Sequence, residues 1–536
     1  MCDRTGIFLF LLLRQQAATA AITPSIADKM SLFTARERQS SSLIWLLLAG
    51  GTATTALVAT SAAVLLLRRI SDAVGVAPPT PQMEEQETAT QKCALLRHLP
   101  HLRLAWRSLG AVTPTPLHKC TITTRGNLQL RFWVKREDLI CTDTYGGNKV
   151  RTLQHQLAVC EARRDTGESA FCQLVCLGTG GSNQIVATAV HAQRLGWTAQ
   201  SDSAVNVNWF DKDEADLDNT LNYLSTLSLP IGWSYNWGEP WRLGRIISAF
   251  WQTWTQKSFI PMNLGGNCAT GVLGQVSGAL ELAEQLEKSK GPRITRLYVP
   301  VGSSCTVSGQ IVGTVLAQHL GYTSLDDLCI VGCNVHELIA MMDRCFSLHV
   351  SPLFSWMPLT VSHSVTQACR ALVQVGGPDL LDECLAFCRN PHKFQMRSDK
   401  AVVGKYGGHS DLTRAAAQLY DSTGIVKDDK ETPAKPLWIC GHFVGKALQP
   451  LLVDLEQENE QQQVDVPSTY LLWMTKSAIQ PRGDRDEWEL FLKENASVHQ
   501  WANRGKAESS LRPGRVSTID GTPEEYRSLM TPIHIE

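Results

Sequence analysis

The residue with the most chemical potential in this sequence is a lysine directly after a glycine pair, in Tyr145-Gly146-Gly147-Asn148-Lys149-Val150-Arg151. Glycines let backbone approach a ligand closely. A lysine held beside the apolar stretch that follows can be stripped of water, which favours its neutral, nucleophilic form. Such an amine suits Schiff-base chemistry, although the same residues also fit a surface turn. Three more glycine-rich stretches accompany it. Leu177-Gly178-Thr179-Gly180-Gly181-Ser182-Asn183-Gln184 reads as a strand, a turn and a helix start. Backbone amides there, with Ser182 and Asn183, can receive an anion, and a plain helix N-cap has the same pattern. Asn263-Leu264-Gly265-Gly266-Asn267 precedes a helix containing Gly271 and Gly274. Gly302-Ser303-Ser304-Cys305-Thr306-Val307-Ser308-Gly309 again joins a strand to a helix. Hydroxyls and amides around a helix N-terminus form a phosphate cup without basic residues. The GxxxxGK[ST] pattern is absent, so a nucleoside triphosphate is a poor fit. GxGxxG with an acidic residue downstream is not found in the right context, which weakens a dinucleotide-dependent dehydrogenase reading.

The elements that must position these loops alternate. Leu128, Leu130, Phe132 and Val134 recur with period two, as in a strand. Leu174–Leu177, Leu297–Val301, Leu328–Val331, Pro436–Cys440 and Tyr470–Trp473 are short apolar runs of the kind that buried parallel strands show. Between them lie helical stripes. Ile185, Ala189 and Ala192 follow Ser182 and stop at Gly196; Val272, Val276, Leu280 and Ala283 form a second; Gly309 opens a third, with Ile311 and Val315. The alternation predicts α/β layers rather than a bundle or sandwich, and in open α/β sheets ligands bind at the carboxyl ends of strands.

Composition sets the outer limits. The 536 residues exceed one simple core, so two or three domains are expected. With 43% hydrophobic and 19% charged residues the chain has globular rather than disordered composition. A net charge of −1 without a long basic run excludes an electrostatic nucleic-acid footprint. The 16 cysteines sit mostly in apolar runs, as in Cys329-Ile330-Val331, and point to a reducing compartment. Cys172/Cys176 and Cys384/Cys388 are four apart, the spacing of one helical turn, without the paired ligands a zinc site needs, so no metal is expected. Ser42 to Leu67 carries no charge. At about 1.5 Å per residue it can cross a hydrocarbon core of about 30 Å, and a buried helix or a cleaved targeting piece are its alternatives. Residues 1–41 are Arg-, Ser- and Ala-rich like a mitochondrial transit peptide. Residues 68–92 read as a linker and 501–536 as a polar tail. The catalytic region is thus expected to be membrane-anchored through 42–67 and in the cytosol, or mitochondrial.

Taken in order, these stretches resemble the family of D-cysteine desulfhydrases and 1-aminocyclopropane-1-carboxylate deaminases over roughly residues 105 to 480. Thr113-Pro114-Thr115-Pro116-Leu117, Lys135-Arg136-Glu137-Asp138, Gly146-Gly147-Asn148-Lys149-Val150-Arg151, Ser182-Asn183, Gly265 to Gly274, Gly302 to Gly309, Tyr406 and Gly445-Lys446-Ala447 carry the resemblance. It implies a tryptophan-synthase-β-like α/β fold: a smaller domain (150–262) inserted between the two parts (93–149 and 263–500) of a larger one. It implies pyridoxal 5′-phosphate (PLP) in the cleft, bonded to Lys149, a small amino acid as substrate, and a homodimer. It implies further that Asn183 hydrogen-bonds the phenolic oxygen of PLP and that Ser182 contacts the substrate. Asn148, Gly302, Ser303, Ser304, Cys305, Thr306, Gly309 and Thr475 complete the cofactor site, with Thr475 toward the pyridine nitrogen and Tyr406 as an acid or base.

The departures are specific. Phe443 and Val444 stand for the family's Tyr-Thr, Met474-Thr475-Lys476-Ser477 for its HTGG, Gln184 for a His, and Ser304 and Cys305 for two phosphate-loop glycines. Deaminase-type members carry Glu where Val444 stands, which argues against cyclopropane ring opening. The expected reaction is β-elimination of D-cysteine to sulfide, ammonia and pyruvate. The competing expectation is a membrane-held pseudoenzyme that binds and does not turn over.

Overall fold

The computed structural model describes residues 83–124, 126–141, 144–165, 172–178, 181–197, 203–209, 222–223, 225–226, 229, 231, 234–236, 259–262, 264–290, 293–336, 356–404, 408–423, 439–441, 443–461, 469–477, 481–482 and 531–532. The 42–67 stretch, residues 1–41, the 501–530 part of the tail and Tyr406 lie outside them. No helix among the described residues is long and apolar enough to cross a membrane.

Two helices, α1 (Met83–Lys92) and α2 (Ala94–His98), lead into the hairpin of β1 (Leu117–Thr123) and β2 (Gln129–Arg136). Then come α3 (Lys149–Asp165), β3 (Cys172–Gly178), α4 (Asn183–Arg194), β4 (Ser203–Trp209), β5 (Ser234–Asn236) and β6 (Phe259–Met262). The chain continues through α5 (Ala269–Ser289), β7 (Arg296–Val301), α6 (Cys305–His319), β8 (Cys329–Asn334), α7 (Trp356–Gln374), α8 (Leu381–Arg389) and β9 (Phe394–Arg397). It closes with α9 (Asp411–Thr423), α10 (Gly445–Gln461) and β10 (Tyr470–Met474).

Among the described residues these strands form two separate sheets, beside a short parallel pair between Pro481–Arg482 and Thr531–Pro532. The larger has the order β1-β2-β10-β7-β8-β9 and the smaller β5-β4-β3-β6. In the larger sheet only β1 runs antiparallel to its neighbour; every other pair is parallel, as is the whole of the smaller sheet. Both faces of the larger sheet are covered. Leu297, Val299, Val301, Ile330, Leu471 and Trp473 pack against Val276 and Leu280 of α5, Ile311 of α6 and Val365 of α7. Their alternates Tyr298, Val331, Leu472 and Met474 pack against Leu448, Leu451 and Leu455 of α10. Burial on both sides is why these strands read as unbroken apolar runs. Beside the smaller sheet, Leu174 and Cys176 meet Val150, Leu153 and Leu157 of α3 and Ile185 and Val186 of α4.

Three local expectations are corrected. Of the run Pro436–Cys440, Ile439 and Cys440 form no strand; they lead into α10, with Cys440 O accepting from Gly445 N at 2.9 Å. A short apolar run does not by itself separate a strand from a buried turn. Cys172 and Cys176 lie along strand β3 rather than on one helical turn, whereas Cys384 and Cys388 share α8. Gly309 does not open its helix, which starts at Cys305. A β-carbon at Gly309 would collide with Gln275 of α5, so the glycine serves the close crossing of the two helices. The described cysteines are free thiols and nearly all buried.

Candidate active site

The carboxyl ends of β2, β10 and β7 in the larger sheet and of β3 in the smaller one bring the glycine-rich loops together. Gly147 takes φ +80°, and a β-carbon there would press on the Thr475 carbonyl at 2.5 Å. Glycine therefore lets the loop before α3 sit on the end of β10, where Asn148 N donates to Thr475 O at 2.9 Å. Asn148 ties this loop to the next one: its Nδ2 donates to Thr306 Oγ1 at 2.6 Å. Gln275 Nε2 of α5 donates to the Asn148 carbonyl at 2.6 Å.

Lys149 opens α3 and is partly exposed, while its Nζ donates to the Gly265 carbonyl at 2.9 Å. Burial pulls its ammonium below lysine's ordinary value, with the Cys305 thiol beside it acting weakly in the other direction. A neutral amine is the form that attacks a carbonyl. Gly265 and Gly266 carry positive φ values of +61° and +72°. A β-carbon at Gly265 would strike the Ser303 hydroxyl and lie 3.7 Å from Lys149 Nζ. The lysine amine, this turn and the 302–306 loop therefore meet at one point.

The 302–306 loop follows β7 and leads into α6. Ser304 is its N-cap position, with φ +69° and no side-chain cap bond. Cys305 Sγ donates to the Gly266 carbonyl at 3.6 Å, and burial pushes its thiol up to about 11. With two turns of α6 buried behind it and no basic side chain in the loop, this segment offers amide and hydroxyl donors to an anion.

On the other wall, Ser182 holds the N-cap position of α4, yet its side chain makes no cap bond. The plain-cap reading of that serine is thus not what the hydroxyl does. Asn183 accepts at Oδ1 from Tyr145 OH at 3.0 Å and from Asn222 Nδ2 at 2.6 Å. Two donors at one end fix the amide's orientation and leave its NH2 end to donate elsewhere. Tyr145 and Asn222 were not singled out by sequence; Tyr145 adjoins the glycine pair, whereas nothing in the sequence marks Asn222. Thr475 is buried, and its Oγ1 has no hydrogen-bond partner among the described residues. An unpaired buried hydroxyl costs about 1–3 kcal/mol, and a ligand atom that accepts or donates there removes that cost.

These features fit PLP. The 302–306 donors would hold its phosphate, Asn183 its phenolic oxygen, Thr475 its ring nitrogen and Lys149 its aldehyde carbon. Gly302 borders Phe443, whose ring would lie 3.7 Å from a β-carbon at Gly302. Phe443 therefore supplies an apolar edge where the resembling family has a phenol. Among the described residues no group of three or more His, Cys, Asp or Glu side chains is arranged to hold a metal ion.

Thr475→Val gives a direct check on the orphan hydroxyl. The ligand-free chain is expected to keep or raise its denaturant midpoint, because the substitution removes an unsatisfied polar atom without changing side-chain volume greatly. The added stability from saturating PLP is expected to shrink. A stability loss without ligand would show that the hydroxyl is paired and structural.

Beneath Lys149 lies a buried ionic quartet that the sequence did not reveal as one. Arg151, two residues along α3, binds Glu137 twice, at 2.6 and 2.8 Å, and Glu281 of α5 at 3.0 Å. Lys135 Nζ donates to Glu281 at 2.6 Å, and Thr115 binds both carboxylates. The one hint is an acid inside the apolar stripe Leu280-Glu281-Leu282. The helices cross so closely here that a β-carbon at Gly274 would overlap the Arg151 carbonyl.

No protein-family profile and no curated protein matches the chain. Among solved structures it is similar to an ACC deaminase homologue, at 19% identity over 72% of this chain and 93% of that one, with a TM-score of 0.45. It is also similar to a T.th. threonine deaminase, at 15% identity over 74% of this chain and 98% of that one, TM-score 0.38. A third is threonine synthase from yeast, at 12% identity over 87% of this chain and 92% of that one, TM-score 0.41.

Proposed function

We propose that the chain is a PLP-dependent lyase of small amino acids, and that its reaction is β-elimination of D-cysteine to sulfide, ammonia and pyruvate. The observation that carries this reading is the placement of the desolvated, partly exposed Lys149 amine against the anion-receptive 302–306 loop. Bound there, PLP withdraws electrons from the substrate α-carbon and so makes its proton removable. Lys149, as a free neutral amine, would be the base that takes that proton at Nζ. The electron pair left on the α-carbon forms the new double bond as the β-carbon–sulfur bond breaks, and sulfide leaves with the sulfur electrons. Water then releases the remaining three-carbon unit as pyruvate and ammonia. Asn183, held by Tyr145 and Asn222, would contact the phenolic oxygen of PLP and fix the ring orientation. The Thr475 hydroxyl would meet the ring nitrogen and, unlike a carboxylate, would leave it unprotonated, a state that favours elimination over transamination. Ser182, not engaged in capping, is available to the substrate carboxylate. D-Cysteine as the substrate rests on the motif resemblance at Gly146–Arg151 and Ser182-Asn183.

The test is an absorbance titration of the full chain with PLP, followed by D-cysteine and measurement of sulfide and pyruvate. A band near the visible edge that changes on adding D-cysteine, with both products released, supports the reading. A band without products favours the non-catalytic alternative, for which the Phe443 edge and the altered phosphate loop speak. No band at saturating PLP overturns the enzyme reading and favours a cofactor-free pseudoenzyme.

A further inference from the structure

Ser304 poses a physical question that the 302–306 loop does not answer by itself. It is a serine at φ +69° and ψ −9°, nearly fully buried, at the entry to α6. Left-handed backbone costs a residue with a side chain roughly 1–2 kcal/mol, and Ser304 stands where the resembling family has glycine. The usual compensation, a side-chain bond to its own helix's amides, is missing. Its hydroxyl instead meets Thr360 Oγ1 at 3.2 Å.

Thr360 belongs to α7. The same helix reaches the second loop. Ser364 Oγ donates to the Thr360 carbonyl at 3.0 Å and accepts from Asn267 Nδ2 at 3.0 Å. Asn267 Nδ2 also donates to the carbonyl of Ser303. One face of α7 therefore bonds the 302–306 loop directly at Ser304 and, through Asn267, is linked to Ser303 and to the 264–268 turn that holds Lys149.

We infer that Thr360 is a positioning residue for the anion cup, holding Ser304 in the left-handed conformation that points the loop's donors at the cofactor phosphate. This deepens the PLP reading and rests on it for the identity of the anion. Thr360 acts through Ser304, so its removal weakens recognition of the phosphate and leaves recognition of the aldehyde by Lys149 alone. A glycine at 304 adopts the same backbone without help, which makes the dependence on Thr360 removable.

The experiment compares the full chain with Thr360→Val, Thr360→Ser and Thr360→Val/Ser304→Gly. Dissociation constants for PLP, for pyridoxal, which lacks the phosphate, and for inorganic phosphate are measured by absorbance and calorimetry. Thr360→Val is expected to weaken PLP and inorganic phosphate by about tenfold, the worth of one hydrogen bond, with pyridoxal unchanged. Thr360→Ser keeps the hydroxyl and wild-type affinity, and Ser304→Gly restores most of the affinity in the Val background. Equal PLP affinity in wild type and Thr360→Val overturns the inference, as does equal weakening of PLP and pyridoxal or a failure of the glycine to rescue. Phosphate binding that follows Thr360 in a chain giving no absorbance band upholds the clasp and sinks the lysine reading. A wild-type chain that binds neither PLP nor phosphate overturns both.

Discussion

Lys149→Ala is expected to cut pyruvate release from D-cysteine by about 10²–10⁴-fold or more, the range associated with losing a positioned proton-transfer group, and to abolish the near-visible absorbance with PLP. The substitution removes the nucleophile and the base together, so the loss should fall on kcat as well as on cofactor retention. Lys149→Arg keeps a cation but not a removable proton near neutrality, and should fail in the same way. A small primary amine added to Lys149→Ala should restore part of the rate. The pH dependence follows from the site. The working form is the neutral amine, and burial pulls its pKa below 10.5. Activity limited by this group should therefore rise with pH and level off below pH 10.5 rather than above it. Wild-type pyruvate release from Lys149→Ala would end the proposed role.

The second large effect concerns stability. Glu281→Gln should destabilise the chain by about 3–5 kcal/mol, because it breaks a buried ion pair and leaves Lys135 without a carboxylate. Burial alone would raise the Glu281 carboxyl, yet Arg151 and Lys135 outweigh it and hold it at about 2. Its folded value is thus depressed below the ordinary 4.5. The carboxylate's stabilisation is present above pH 4.5 and is lost as pH falls toward 2. Wild-type protein should lose stability through that acid window, and Glu281→Gln should show a flatter acid limb. A denaturant series at several pH values reads both. Identical acid limbs in the two proteins would show that the quartet is not the linked group. Because Arg151 lies on the same first turn as Lys149, the variant should also loosen the lysine's seat and weaken PLP binding.

Much of the scaffold was legible because period and burial agree. Leu297–Val301 and Tyr470–Trp473 are apolar at every position since both sheet faces are covered. Lys149, Asn148, Ser182, Asn183 and the 302–306 loop were marked mainly by the motif resemblance, since glycine placement next to hydrogen-bonding residues also fits a surface turn or a plain helix cap. What escaped reading involves partners far apart in sequence. Glu137, Arg151 and Glu281 become one network only when α3 crosses α5. Thr360 lies in a helix whose exposed and buried positions carry no motif, and its contact with Ser304 depends on a backbone angle that a sequence does not display. Ile439 and Cys440 misled because hydrophobic composition marks burial more reliably than conformation.

The strand order of the larger sheet carries a consequence for how the chain is made. β10, close to the end of the described core, is inserted between β2 and β7, and its residue Leu471 pairs with Trp133 on one side and Leu297 on the other. A nascent chain stopped before Tyr470 has two open strand edges facing each other and no carbonyl from Thr475 to seat Asn148. Pairings of such long sequence separation form late and slowly, and unpaired apolar edges invite self-association meanwhile. The lysine therefore acquires its seat only after Tyr470–Met474 has been made, and the sheet edges that this strand closes stay open to self-association until then.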